Sequence, residues 1–299
     1  MEKPEYKLDF EVQAFFDIKE DIETEILDGT KIILYQNKGL NKGSVIFQTE
    51  TMDFGEAKNE GMLRADAFLN FLVVLLNIEN IPSTKYAESP TLLNSEKFKG
   101  ATLTIQKQIT AGAAVVAVFQ NKWAEEAKNM VEKAYKLTNF EQNALAYSLY
   151  WLRKGAEAKE NDRFIYRWIS LEALCGILGK LDCSIKSTEE LINHLINKLK
   201  NNSAKEICER HKETIDKLAE ANLEGRNGAK RSRKLKNTIN TNAGYTAILQ
   251  KTALCIYEVR NRLIHRGEAL HILDQCSALL RDIISAAVRD TLLTWKQET

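Results

Sequence analysis

The hydrophobic period changes for good near residue 120, and that change limits the folds open to the chain. Before it, apolar and polar residues alternate, the mark of half-buried strands. Tyr6-Lys-Leu-Asp-Phe-Glu-Val-Gln-Ala-Phe is such a run, and Val45-Ile-Phe-Gln-Thr after Gly43 predicts another. Glu23–Ile26 and Ile32-Ile-Leu-Tyr flank Asp28-Gly29, a hairpin pattern. One helix intervenes at 57–79, where Met62, Ala65, Phe68, Leu69, Leu72, Leu75 and Leu76 recur at three- and four-residue steps. Residues 83–100, preceded by Pro82 and containing Pro90, read as a loop, and strand character returns at Leu103–Gln108 and Ala113–Phe119.

After Asn121 the period is helical throughout. Trp123, Ala127, Met130, Val131 and Ala134 mark one helix, and 139–159 a second with Leu145, Leu149 and Leu152. A third starts at Asn161-Asp162, and its Phe164, Trp168, Leu171, Cys175 and Leu178 form a single apolar stripe. Helices are also expected at 188–199, 204–221, 245–265 and 271–295. In the last, Ile272, Cys276, Leu279, Ile283 and Ala287 make the buried stripe, while Leu280, Ile284, Val288 and Leu292 could cover a second surface. The expected class is α+β: a mixed front domain over 1–120 and an all-helical back domain over 121–299.

The chain of 299 residues is long enough to bury a core without disulfides. Cys175, Cys183, Cys208, Cys255 and Cys276 are odd in number and never in CxxC spacing, which reads as small buried hydrophobes in a reducing cytoplasm. MEKPEYKLDFE has no basic-then-apolar signal pattern, and the apolar stretches Phe68–Ile78 and Ala111–Phe119 are too short to span a bilayer. A soluble cytoplasmic protein with no membrane partner is expected. Net charge is +1, but residues 1–120 carry 12 basic against 18 acidic residues and the remainder 30 against 23. A basic back half points toward a polyanion.

Familiar chemistry is missing from the sequence. It holds no GxxxxGKS/T, no GxGxxG after a strand, no HExxH and no Cys/His metal spacing, so neither metal nor cofactor is expected. Of four histidines, His194 and His211 read as surface or boundary positions. His265 closes the helix Glu258-Val-Arg-Asn-Arg-Leu-Ile-His-Arg-Gly, with Gly267 placed as its cap. The last helical turn faces the negative end of the helix dipole, a place that suits a cation.

Asn261 shares a helical face with His265, whereas Arg260 is offset and needs its full length to reach the imidazole. A cation, an amide and an imidazole at one spot suit phosphodiester chemistry. Spacing alone favours a solvated helix end with His265 serving as its cap. A second Arg-x4-His, Arg266 to His271, spans the glycine break and is taken as coincidence.

Val259-Arg-Asn-Arg-Leu-Ile-His-Arg-Gly resembles the RNxxxH motif of the HEPN superfamily. Arg163-Phe-Ile-Tyr-Arg-Trp-Ile-Ser-Leu-Glu-Ala-Leu resembles the preceding helix of its ApeA-like branch. The resemblance covers about 121–299; residues 1–120 match nothing recognisable, although a variable N-terminal domain occurs in that branch. It implies a helical bundle that dimerises, and a metal-independent endoribonuclease of antiviral or toxin systems. It also implies catalytic roles for Arg260 and His265, support from Asn261, and a Glu172 placed to hydrogen-bond Arg260. For Glu172 the other reading is a plain flank of the Trp168 stripe.

Gly225–Lys236 holds six basic residues in twelve and no acid: Arg226, Lys230, Arg231, Arg233, Lys234 and Lys236. It would attract a phosphate backbone, or it is a solvated loop between helices. Trp123, Trp151 and Trp168 lie on helical stripes and are expected in the core rather than as base-stacking platforms. Two functions follow. The first is RNA cleavage by attack of the 2′-hydroxyl, with a homodimer through the back domain supplying a second histidine. The alternative is a non-catalytic RNA- or nucleotide-binding and dimerisation module.

Overall fold

The alternating front region forms antiparallel strands in the computed structural model, which describes residues 3–12, 16–18, 21–26, 29–37, 40–76, 84–94, 117–119, 121–134, 137, 139–181, 187–225 and 230–294. Two compact units divide the chain, Met1–Lys136 and Leu137–Thr299. The class is α+β, with the sheet in the first unit and helices throughout the second.

The first unit contains β1 (Glu5–Val12), β2 (Phe16–Ile18), β3 (Ile22–Glu25), β4 (Lys31–Asn37), β5 (Leu40–Gln48), β6 (Thr84–Tyr86), β7 (Thr91–Leu92) and β8 (Ala117–Phe119). Its helices are α1 (Phe54–Leu76) and α2 (Asn121–Ala134). The main sheet runs β3-β4-β5-β1-β6, with β7 also on β1; β2 and β8 form a separate parallel pair. Alternation does what the sequence implies: Tyr6, Leu8, Phe10 and Val12 are buried, and α1 packs against β1 and β5. The hairpin at Gly29 forms with φ +76°, and Glu25 pairs with Lys31. Strand β5 passes straight through Gly43, because a Cβ there would overlap the Phe10 ring across the ladder.

Two expectations change in this unit. The stretch read as a loop contains β6 and β7, which cover an edge of β1 that would otherwise leave backbone groups unpaired. Ala87 and Leu93 donate to the carbonyls of Asp9 and Glu5, both at 2.8 Å. The domain boundary falls after Lys136 rather than at 120, because Ala124, Ala127, Met130 and Val131 of α2 are buried and α2 packs on α1 and β3. The strand expected at Leu103–Gln108 lies outside the described residues.

The second unit comprises α3 (Asn139–Glu157), α4 (Glu160–Leu181), α5 (Thr188–Asn197), α6 (Asn201–Arg210), α7 (Lys212–Glu220), α8 (Arg231–Asn240), α9 (Tyr245–Arg266) and α10 (Leu273–Thr294). A Ser187–Glu190 capping box starts α5. The helix expected over 204–221 is two helices broken at His211, whose backbone leaves helical geometry (φ −105°, ψ 22°). His211 is not a surface residue. It is buried, with Nε2 2.9 Å from the Asp282 carboxylate of α10.

The basic segment read as a solvated loop winds from Arg231 into α8, anchored by buried Leu235 and Ser232. Helix α10 is buried on nearly every side. Leu280, Ile284 and Val288 are fully buried alongside the main stripe, and the helix packs among α4, α5, α6 and α9. The surface expected to receive a second copy is therefore already occupied within the unit; the Leu292 side chain lies outside the described residues. No described helix is long and apolar enough to cross a membrane.

Candidate functional site

Glu172 and Arg260 come from helices 88 positions apart, and an aromatic pair beneath them sets their register. The Trp168 indole of α4 stacks on the Tyr257 ring of α9, centroids 5.6 Å apart and 28° between planes. Trp168 is buried. One turn further along each helix stand Glu172 and Arg260, and Arg260 Nη2 lies 3.8 Å from Glu172 Oε1. That is an ion pair at long range, not the hydrogen bond expected. Arg260 Nη1 donates to Asn261 Oδ1 at 3.2 Å, while its Nε is shielded from water and has no partner. The guanidinium is thus loosely held by one half-exposed carboxylate and one amide.

His265 lies beyond this pair in the last turn of α9, exposed, as are Ile264 and Arg266. Gly267 ends the helix at φ +67°, and the N–H groups of Gly267 and Glu268 return to the carbonyls of Leu263 and Arg262. Arg260 makes its described contacts with Asn261 and Glu172, not with His265. The structure therefore joins Arg260, Asn261 and Glu172 and leaves His265 facing solvent one turn beyond Asn261 on α9. His271, the coincidental match, is also exposed.

A groove of about 510 Å³ runs between α7 and α8, lined by Lys230, Arg233 and Lys236, by the acids Glu220 and Glu224, and by Asn222 and Leu223 among others. It reaches the motif helix directly: Arg262 Nη2 donates to the Asn222 carbonyl at 3.0 Å. Lys230, Arg233, Lys234 and Lys236 are exposed. The first turn of α8 carries no acid and Lys230 caps it without a side-chain hydrogen bond, so several cations gather at the positive end of a helix dipole. Nothing within α8 relieves that conflict.

Arg231 differs from its neighbours. It makes a bidentate pair with Glu189 of α5, at 2.9 and 2.7 Å, and only 11% of its side chain is exposed. Its hydrogen bonds hold the Glu189 carboxyl below its ordinary range. A ligand in the groove therefore meets Lys230, Arg233 and Lys236 and not this arginine. Arg226 lies outside the described residues.

Sequence reasoning missed two charged clusters in the core. Asp282 accepts from Arg210 Nη1 at 2.7 Å and from Arg281 Nε and Nη2 at 2.9 and 2.8 Å, besides facing His211. Burial alone would raise its carboxyl, but the His211 contact and the two arginines outweigh burial and hold it well below the carboxylate range. Arg167 is fully buried and donates to Ser277 at 3.1 Å, with Gly155 leaving room for its stem. An arginine inside an apolar stripe carries no signal at the level of periodicity.

Among the described residues no group of three His, Cys, Asp or Glu side chains is placed to share an ion. Comparison with protein-family models, curated proteins and solved structures finds no match for this chain.

Proposed function

We propose that the helical unit is a metal-independent endoribonuclease of HEPN type, of the kind used in antiviral defence and toxin systems. The observation that carries this reading is the loosely paired guanidinium of Arg260, five residues before an exposed His265 on a helix that Arg262 ties to a groove lined by Lys230, Arg233 and Lys236. Glu172 and Asn261 together aim Arg260 without saturating it, which leaves N–H groups for a phosphate oxygen.

In this mechanism an RNA strand lies along Lys230, Arg233, Lys234 and Lys236, with its scissile phosphate at Arg260. The 2′-hydroxyl attacks the adjacent phosphorus and its proton passes to a base; the P–O5′ bond breaks, and the 5′-oxygen leaves as a hydroxyl after accepting a proton. The products are a 2′,3′-cyclic phosphate and a 5′-hydroxyl. Arg260 stabilises the charge that gathers on the phosphorane oxygens. His265 moves one of the two protons. A second copy of the chain supplies the other histidine, so the working form is a homodimer. Its contact is not the Leu280–Val288 face, which is filled.

One observation favours a second reading, a non-catalytic RNA- or nucleotide-binding module: among the described contacts, none links His265 to Arg260. Incubating RNA with the protein in chelator separates them. Cleavage supports the nuclease, and binding without cleavage supports the module.

A further inference from the structure

Trp151 sits only partly in the core: its indole Nε1 is shielded from water while part of the ring is exposed. It stands at the centre of four aromatic side chains on α3 and α4. Tyr147 and Tyr150 are 52% and 48% exposed. Their rings meet Trp151 edge-on at 5.9 and 5.4 Å, and Tyr166 of α4 lies 5.0 Å from it. Tyr147, Tyr150, Trp151 and Lys154 follow the i, i+3, i+4, i+7 pattern that puts them on one helical face. Core packing explains none of the exposed ring area, and large exposed aromatic patches mark binding surfaces.

We propose that this face is a stacking platform for the bases of single-stranded RNA. Charge favours that occupant. Lys154 Nζ stands 5.8 Å from the Tyr150 ring centroid, and the exposed positions Asn143, Ala146, Tyr147 and Tyr150 include no carboxylate. Along α3 the first described acid, Glu157, is shared by two cations, Arg153 at 3.5 Å and Lys154 at 2.6 Å; on α4 the exposed Asp162, one turn before Tyr166, is followed directly by Arg163. Cations beside tyrosine and tryptophan rings are the combination that holds single strands without reading sequence, by stacking on the bases and attracting the backbone.

Placement on α4 links the platform to the site described above, and to that extent the inference rests on the proposed function. Tyr166 and Glu172 are six residues apart, about 9 Å along the helix axis. Partly exposed Ile165, Ile169 and Ala173 form a solvent-facing strip of α4 near both. A strand whose phosphate meets Arg260 beside Glu172 reaches Tyr166 within about three nucleotides at stacked spacing. The platform would thus grip the strand a short distance from the bond to be cut.

The test measures binding of the full-length protein to a 12-nucleotide 2′-O-methyl RNA, which lacks the attacking hydroxyl. Tyr147→Ala/Tyr150→Ala should weaken binding by roughly tenfold or more, since each stacked base lost is worth about that. Tyr147→Phe/Tyr150→Phe should bind like the wild type, because stacking needs the ring and not the hydroxyl. Arg260→Ala, measured alongside, reports on the motif. Unchanged affinity in the alanine pair, with Arg260→Ala impaired, overturns the platform and leaves the proposed function standing. Impairment in the alanine pair alone keeps the platform and removes Arg260 from RNA binding. Loss of self-association in the alanine pair with RNA affinity intact identifies a surface between protein copies and overturns the inference. A wild type that does not bind this RNA overturns both.

Discussion

Arg231 and Glu189 form a two-bond ion pair between α8 and α5, and this removes one cation from the basic segment. Arg231→Ala should therefore cost stability, about 1 kcal/mol for a partly exposed pair of this geometry, with little change in RNA affinity. Arg233→Ala/Lys234→Ala should do the reverse: unchanged melting temperature, weaker RNA binding and a shallower salt dependence, because fewer counterions are released. Titrations at several salt concentrations distinguish the two variants. An equal loss of salt slope in both would mean that Arg231 leaves Glu189 to bind phosphate.

Glu172 should act through Arg260 rather than on substrate. Glu172→Gln removes the charge 3.8 Å from the guanidinium but keeps the shape. The expected result is a fall in cleavage rate of about fivefold or less, smaller than that of Arg260→Ala, because a long, half-exposed pair contributes at most about 1 kcal/mol. Equal losses in the two variants would give Glu172 a direct role.

Acid should loosen the helical unit through Asp282. Its folded-state carboxyl sits below the unfolded value of about 3.9, so its contribution is fully present above that pH and is lost as pH falls through the depressed folded value. Asp282→Asn takes the carboxylate away from buried Arg281 and His211, which should cost about 3 kcal/mol or more at neutral pH. It should also flatten the acid limb of a stability-versus-pH curve. A variant that keeps the wild-type acid limb would place the acid sensitivity elsewhere.

Thiol chemistry offers a check on the core. Burial pushes Cys175, Cys208, Cys255 and Cys276 up to about 12. At pH 8 almost none is thiolate, and the native protein should leave these four unmodified by iodoacetamide over hours, with all four reacting in denaturant. Mass spectrometry of the alkylated peptides reads this directly; rapid native modification at Cys255 or Cys276 would contradict the packing of α9 against α10.

Much of this fold was readable from period alone. The strands β1, β3, β4 and β5, the helix α1 and the ends of α2, α3 and α9 follow from alternation, stripes and the Gly29 and Gly267 turns. Strands β6 and β7 were not readable, because segments of three and two residues are too short to show a period and form only to cover β1. The burial of His211 at the helix break was hidden for a different reason: its partner is Asp282, 71 residues away.

The site divides the same way. Arg260, Asn261 and His265 lie on one helix, where spacing and resemblance single them out. That Arg231 is taken by Glu189 depends on a partner 42 residues away, and that Tyr166 of α4 joins the aromatic face of α3 depends on how the two helices pack.

Cleavage of single-stranded RNA in excess chelator, by the wild type and by His265→Ala, tests the central claim. His265 is exposed at a helix end, so its removal should leave the melting temperature unchanged, and His271→Ala serves as the control at the coincidental match. The account predicts that the wild type and His271→Ala both cut RNA to products ending in a 2′,3′-cyclic phosphate, while folded His265→Ala does not. Undiminished cleavage by His265→Ala, or a wild type that binds RNA and leaves it whole, would contradict it.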